Sequence, residues 1–309
     1  MKAVLMKDYG GAEVLDFEET DDPVPAAGQV LVDIHRATVN PADWKVREGR
    51  RRDAVKATFP HILGRDFSGV VAELGDGVSG LSVGDAVFGV TDTGQEGCYA
   101  ERLAVRADLC GRKPGAMSHA EAAALALTGL TAMISIEEYL ELKKGETILI
   151  QGGAGGVGNF AVQFAHHIGA HVITTASGRN HDYLKSLGAD EVIDYNEVDF
   201  TEAVSDVDAV YDLIGGEVQV RSYGILKSGG RLAWNSPPPA DAETGRDDIE
   251  VLHPNVARDG KYMRRIAGLY SDGAIRPPEI REMPLSEIRA AHELSATGHV
   301  RGKIVLAVR

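Results

Sequence analysis

The stretch Gly152-Gly153-Ala154-Gly155-Gly156-Val157-Gly158 limits what this chain can fold into more than any other segment. Thr147 to Gln151 before it reads as a strand, and Val157 to Ile168 after it reads as a helix. Gly153, Gly155 and Gly158 fit the spacing G-x-G-x-x-G. A match of that kind is weak alone. Here a second strand, His171 to Thr175, completes the βαβ unit that the motif requires. Glycines permit the tight turn and let backbone approach a pyrophosphate, whose charge is met by the helix N-terminus. The spacing therefore predicts a dinucleotide held at Gly155, Gly156, Val157 and Gly158, against the blander reading of a glycine-rich turn without a ligand.

The end of the second strand bears on which dinucleotide. An NAD site places Asp or Glu there for the ribose 2′-hydroxyl. This chain reads Thr174-Thr175-Ala176-Ser177-Gly178-Arg179-Asn180, with no carboxylate before Asp182. Ser177 can donate to a 2′-phosphate and Arg179 can pair with it. NADPH is the expected cofactor; the competing reading leaves Arg179 as a solvated charge in a site that accepts NADH.

Around this unit the chain changes character. Val30 to His35, Ser68 to Leu74 and Asp85 to Val90 read as short strands separated by glycine turns, with no long helical pattern among them. Near Ser118, a helix N-cap with Glu121 as capping-box partner, the pattern changes. A helix over Leu130 to Leu142 follows. Strands at 147–150, 171–175, 191–194, 208–212 and 231–234 then alternate with helices, the mark of a parallel sheet covered on both faces. Pro237 to Asp248 reads as a lid-like loop, Val256 to Ser271 as a helix, and Lys303 to Val308 as a strand rejoining the first domain. The expected fold class is α/β, with a discontinuous β-rich domain at 1–120 and 272–309 and a doubly wound Rossmann domain at 121–271.

The chain has 309 residues and a formal net charge of −14, which argues against general nucleic-acid binding, because phosphate neutralisation needs clustered Lys and Arg. Its two cysteines, Cys98 and Cys110, cannot build a disulfide framework. No signal-peptide pattern opens the sequence and no run approaches the roughly 20 apolar residues of a membrane span. A cytoplasmic location is the expectation.

Asn40-Pro41-Ala42-Asp43-Trp44-Lys45, Leu63 to Val71, Leu127-Thr128-Gly129-Leu130-Thr131-Ala132, the glycine turn and His299 to Leu306 together resemble the medium-chain dehydrogenase/reductase superfamily. The resemblance is to its zinc-independent quinone oxidoreductase and enone reductase branch, over essentially the whole chain. It implies a GroES-like catalytic domain beside the Rossmann domain. Zinc alcohol dehydrogenases of that superfamily need Cys where this chain has Asn40, and Gly-His-Glu where it has Gly64-Arg65-Asp66. Arg65 cannot ligate a metal, since guanidinium stays protonated and offers no lone pair. No metal site is expected, and an Arg65–Asp66 ion pair is expected to fill the place.

The resemblance puts Asn40 near the nicotinamide, as cofactor or catalytic contact, although an Asn before Pro41 also stabilises a turn. Lys45, at a position near the nicotinamide, either anchors ribose or donates to an enolate, with an outward-snorkelling surface lysine as the competing reading. His61 is the histidine to watch near substrate, with a plain loop role as its rival. Thr128 and Lys303 resemble family positions at the cofactor. Ile214, at the end of the fourth Rossmann strand, and Asn235, after the next, complete the candidate cofactor set.

Without a metal to polarise a carbonyl oxygen, direct carbonyl reduction loses its electrophile. Quinones and α,β-unsaturated carbonyls spread the incoming charge themselves. The expected activity is hydride transfer from NADPH to such an acceptor. The alternatives are an NADPH-dependent aldehyde or alcohol oxidoreductase and a non-catalytic NADPH-binding protein. A homodimer is the family expectation, with Arg231 to Trp234 as a contact run. Substituting Arg179→Ala is expected to cut the binding preference for NADPH over NADH by about tenfold. Competition binding of the two cofactors measures it, and an unchanged preference would overturn the assignment.

Overall fold

The computed structural model describes every residue except Asp53, Ala54 and Thr93. Its first compact unit comprises Met1–Leu127 and Arg258–Arg309, and its second Thr128–Ala257. The first boundary falls within a long helix rather than at residue 120.

In the first unit the chain lays down β1 (Lys2–Met6), β2 (Leu15–Glu19) and β3 (Gln29–Val39). Helix α1 (Pro41–Arg47) follows, then β4 (Asp66–Leu74), β5 (Ala86–Val90), β6 (Arg102–Arg106) and β7 (Cys110–Arg112). β1 and β2 form an antiparallel ribbon that the sequence reading missed, because their charged partners mask the alternation. Helix α2 (His119–Met133) opens with Ser118 and Glu121 bonded in the expected capping box. It runs on into a π-helical segment, Ile134–Tyr139, so the helix expected at 130–142 is its continuation. By length and composition 119–139 could cross a membrane, which the sequence reading overlooked. Its most apolar window is 72% buried inside the protein, as befits a core helix.

The second unit carries β8 (Thr147–Gln151), α3 (Gly156–Ile168), β9 (His171–Ala176), α4 (His181–Ser186) and β10 (Glu191–Asp194). It continues through α5 (Phe200–Ala203), β11 (Val207–Asp212), α6 (Glu217–Ser222), β12 (Leu226–Trp234) and β13 (Glu250–Leu252). Every pairing is parallel, in the order β10-β9-β8-β11-β12-β13. The direction of winding reverses between β8 and β11, and open sheets of this kind take their ligand at that reversal. β12 is an interior strand flanked by β13. The run Arg231 to Trp234 is thus no sheet edge on which copies could pair; Trp234 instead stacks on His253 at 3.9 Å. The loop read as lid-like is fastened: Gly216 N–H donates to Pro237 O, Gly229 N–H to Asp248 O, and Arg246 to the carbonyls of Tyr223 and Leu226.

Back in the first unit come α7 (Gly260–Ser271), β14 (Ile280–Pro284), α8 (Ile288–Ala296) and β15 (Lys303–Ala307). Helix α7 was expected in the nucleotide domain. It lies with the first unit because Gly111 of β7 meets its Met263, where even an added Cβ would stand 2.5 Å from the methionine's Cβ. A 7-stranded sheet in the order β14-β15-β3-β4-β5-β7, with β6 also on β3, closes this unit around Val32, Ile34, Phe67 and Leu306. In the second unit Leu149 sits fully buried at the centre of the parallel sheet. Leu149→Ala is expected to destabilise that unit by about 2–5 kcal/mol, read as a lower denaturant midpoint at unchanged slope.

Candidate functional site

In the second unit, the glycine turn joins β8 to α3 with three separate demands on glycine. Gly152 has φ +80°, a left-handed conformation that side chains resist. A Cβ on Gly153 would stand 2.2 Å from Thr174 Oγ1, and one on Gly158 would stand 2.3 Å from Gly152 O. These two glycines let strand and helix touch. Gly155 differs: a Cβ there would meet nothing nearer than Gly152 O at 3.6 Å, and it caps α3 with no side-chain bond. That open approach to the N-terminus of a 13-residue helix fits a pyrophosphate. Thr175 pins the turn by accepting the Gly152 N–H at Oγ1 (3.1 Å) and the Gly153 N–H at its carbonyl (3.2 Å).

Across the winding reversal, Ile214 at the end of β11 lies over Gly152 and is 54% exposed, an apolar wall beside the turn. The buried Asp212 carboxylate holds its loop through the N–H groups of Ile214 (2.9 Å) and Gly215 (3.0 Å), and burial raises that carboxyl's pKa. Asn235 accepts the Tyr211 hydroxyl at 2.5 Å, and its N–H donates to Asp212 O. Ser177 Oγ accepts from Asn180 Nδ2 at 3.0 Å, which leaves its own proton to donate. Arg179 is exposed, with no ion pair found among the described residues. Thr128 is the candidate that burial disfavours: only 2% exposed within α2, it offers a ligand almost no surface.

The first unit holds a buried ionic network where the sequence reading put the catalytic candidates. Asn40 precedes α1, and its N–H donates to Asp43 Oδ2 at 2.8 Å. Its side chain is spent internally: Nδ2 donates to Asp66 Oδ1 at 3.1 Å, and Oδ1 accepts the Lys303 ammonium. Lys303 also donates to Val39 O (3.2 Å) and faces Asp66 Oδ2 at 4.0 Å. Asn40 and Lys303 are both 5% exposed, so each has an internal partner and little surface for a cofactor. The expected Arg65–Asp66 pair does not form. Arg65 lies between Asp43 Oδ1 (3.2 Å) and Glu96 Oε1 (2.8 Å), while Asp66 takes Lys303, Thr38 and Asn40. Asp66 opens β4 whereas Arg65 lies in the loop before it, and the two side chains take different partners.

His61 belongs to the same network, with Nε2 2.6 Å from Glu96 Oε2. Its backbone exchanges hydrogen bonds with Met6, so ring and main chain are both tied. Lys45, half-buried on α1, has Nζ 5.5 Å from the Trp44 ring centroid. Burial, then Arg51 and Arg50, push its amine below the usual lysine range. Burial raises the Asp43 carboxyl to about 6 despite Arg65 beside it. Tyr99 donates to Asp43 Oδ2 at 2.8 Å and is met by His292 Nε2 at 3.3 Å. Sequence reasoning missed Glu96, Tyr99 and His292, which lie far along the chain from their partners and carry no local signal. It also missed Arg258, whose Nε and Nη1 are buried without a hydrogen-bond partner among the described residues.

The comparisons agree with this architecture. A family model described as "Alcohol dehydrogenase GroES-like domain" matches residues 26–134, and one described as "Zinc-binding dehydrogenase" matches 187–306. A 2-methylene-furan-3-one reductase of Solanum lycopersicum is 34% identical over 99% of this chain and 79% of its own. The solved quinone oxidoreductase of Coxiella burnetii is 38% identical, with a TM-score of 0.92 over 100% of this chain and 99% of that one. A mycobacterial protein solved in complex with NADPH is 29% identical, with a TM-score of 0.90 over 100% of both chains.

A carboxyl whose folded pKa is raised contributes stability that is complete below its unfolded pKa, 3.8, and is lost as pH rises through about 6. Asp43→Asn removes that titration and keeps acceptors for Tyr99 and the Asn40 N–H. The stability of the wild type relative to this variant is therefore expected to fall between pH 4 and 6, by on the order of 1–3 kcal/mol. Denaturant titrations of both proteins across that range check it, and parallel pH profiles would contradict it.

Proposed function

The chain belongs to the quinone oxidoreductase and enone reductase branch of the medium-chain dehydrogenase/reductase superfamily, and on that premise we propose that it transfers hydride from NADPH to a quinone or an α,β-unsaturated carbonyl without a metal. The observation that carries the metal-free reading is the donor set of the buried network. Asn40, Arg65 and Asp66 stand where the resemblance puts zinc ligands. Asn40 and Asp66 already turn oxygens to the buried Lys303 ammonium, and the third position is itself a cation, Arg65, held by Asp43 and Glu96. A dication set among them would meet like charge at close range in a poorly solvated interior. Catalytic zinc requires about three His, Cys or carboxylate ligands and an open position. Among the described residues no group of three or more such side chains is arranged to hold a metal ion. These residues do not fit zinc, despite the name of one matched family.

The residues of the second unit do fit a phosphorylated dinucleotide. Gly155 and the start of α3 would receive the pyrophosphate, Ser177 and Arg179 the 2′-phosphate, and Ile214 would wall the site on its apolar side. Bound NADPH supplies the hydride. Of the three side chains offered as catalytic, Lys45 is the one with neither an ion pair nor a buried hydrogen bond among the described residues. Its lowered pKa suits donation to an enolate. Asn40 and His61 act as positioning groups, holding α1 and the Glu96 segment. A homodimer remains part of the reading, and its contact moves from β12 to β13, which has one paired neighbour among the described strands. A cytoplasmic setting belongs to the same proposal.

The test is NADPH oxidation by the purified protein with a panel of quinones and enones, repeated after treatment with a chelator. Acceptor-stimulated oxidation that survives chelation is expected. Activity confined to simple alcohols and aldehydes, or abolished by the chelator, would overturn the proposal.

A further inference from the structure

The loop that distinguishes the two cofactors has no carboxylate of its own, but the sheet brings one to it. β10 pairs with β9 so that Asp194 lies opposite Ala176, the residue before Ser177. Asp194 Oδ2 accepts the Gly178 N–H at 2.6 Å, and Oδ1 accepts the Asn196 N–H and Nδ2, each at 2.9 Å. The approach is close enough that a Cβ on Gly178 would stand 2.7 Å from Oδ2. The carboxylate thus lies against the backbone between Ser177 and Arg179. Bonds from Asn196 hold its pKa below the usual range, with help from Gly178 and His181, so it is charged at neutral pH.

This arrangement changes what the loop offers a phosphate. Ser177 retains a hydroxyl proton and Arg179 an exposed guanidinium, both attractive to an anion. The Gly178 amide between them, a third natural donor, is already taken. In its place stands a fixed negative charge, the feature that in NAD sites engages the ribose 2′-hydroxyl from the end of the preceding strand.

We propose that Asp194 is a specificity-determining residue of the cofactor site: it occupies the Gly178 amide, sets a carboxylate beside the 2′-phosphate subsite, and so tempers the preference for NADPH and admits NADH. The inference rests on the reading above that Ser177 and Arg179 receive the 2′-phosphate. Repulsion between carboxylate and phosphate a few ångströms apart in solvent is worth about three- to tenfold in affinity at low salt, and less as ionic strength rises. Asp194→Asn removes the charge and keeps one carbonyl acceptor, for Gly178 or for Asn196.

Equilibrium binding of NADPH and NADH, followed by fluorescence quenching or calorimetry on the full chain, tests this with wild type, Asp194→Asn and Arg179→Ala. The expected result is that Asp194→Asn binds NADPH about three- to tenfold more tightly at low salt, and NADH within about twofold of wild type. The gain should shrink at high salt. If Asp194→Asn leaves the NADPH-to-NADH ratio unchanged while Arg179→Ala weakens NADPH, the role of Asp194 is wrong and the subsite stands. If neither variant moves the ratio, the subsite itself is misplaced. Equal weakening of both cofactors by Asp194→Asn would reduce the residue to a loop support and overturn the proposal.

Discussion

Three buried carboxylates, Asp43, Asp66 and Glu96, set the terms for the first unit. Each is at most 1% exposed, and a charge so far from water persists only if partnered. Asp66 gathers Thr38 of β3, Asn40 at the head of α1 and Lys303 of β15. Asp43 gathers the Asn40 amide, Tyr99 and Arg65, and Glu96 joins Arg65 to His61. Segments far apart in sequence are thereby fixed to one another by charge. The net stability of such a network against a well-packed apolar core is small, whereas loss of one partner strands a charge and costs about 3–5 kcal/mol. The network is specific before it is stabilising, and it holds α1 and the residues around Lys45 in one arrangement.

The second unit depends on a different constraint, the closeness of backbone to backbone. Gly158 against Gly152, and Gly153 against Thr174, bring α3 down onto the ends of β8 and β9. With Ile214 across the winding reversal, the turn becomes a shallow seat with an amide-lined end and an apolar wall. Among the described residues no ion pair ties the turn, and all of it but the Ile214 wall is specified by local sequence.

That difference explains what could be read from the sequence. The seat is made of neighbours in the chain, so Gly155, Gly158 and the strand and helix around them were legible in one pass. The capping box at Ser118 was legible for the same reason. The ionic network is made of strangers: Arg65 and Asp66 are adjacent in sequence and invited pairing, but Arg65 ends a loop and reaches Asp43 and Glu96, while Asp66 opens β4 and takes Thr38, Asn40 and Lys303. Strand order is equally invisible locally, which is why β12 passed for an edge until β13 was placed beside it. The absence of a carboxylate at the end of β9 was a true statement about the sequence. It was incomplete about the site, because Asp194 arrives from the neighbouring strand.

The same network bears on the acceptor. Arg65 stands at one of the positions where the resemblance puts a metal ligand, and Lys303 packs against the other two, Asn40 and Asp66; neither cation substitutes for a metal as an electrophile. Each is already neutralised by the carboxylates it touches, and each is nearly inaccessible. A developing oxyanion would have to compete with Asp43, Glu96 or Asp66 for them, at closer range and with the geometry already fixed. The catalytic domain therefore offers little help to a carbonyl that must concentrate its charge on one oxygen. An acceptor that delocalises the charge across a conjugated system needs less, which is how the buried network favours the acceptors proposed.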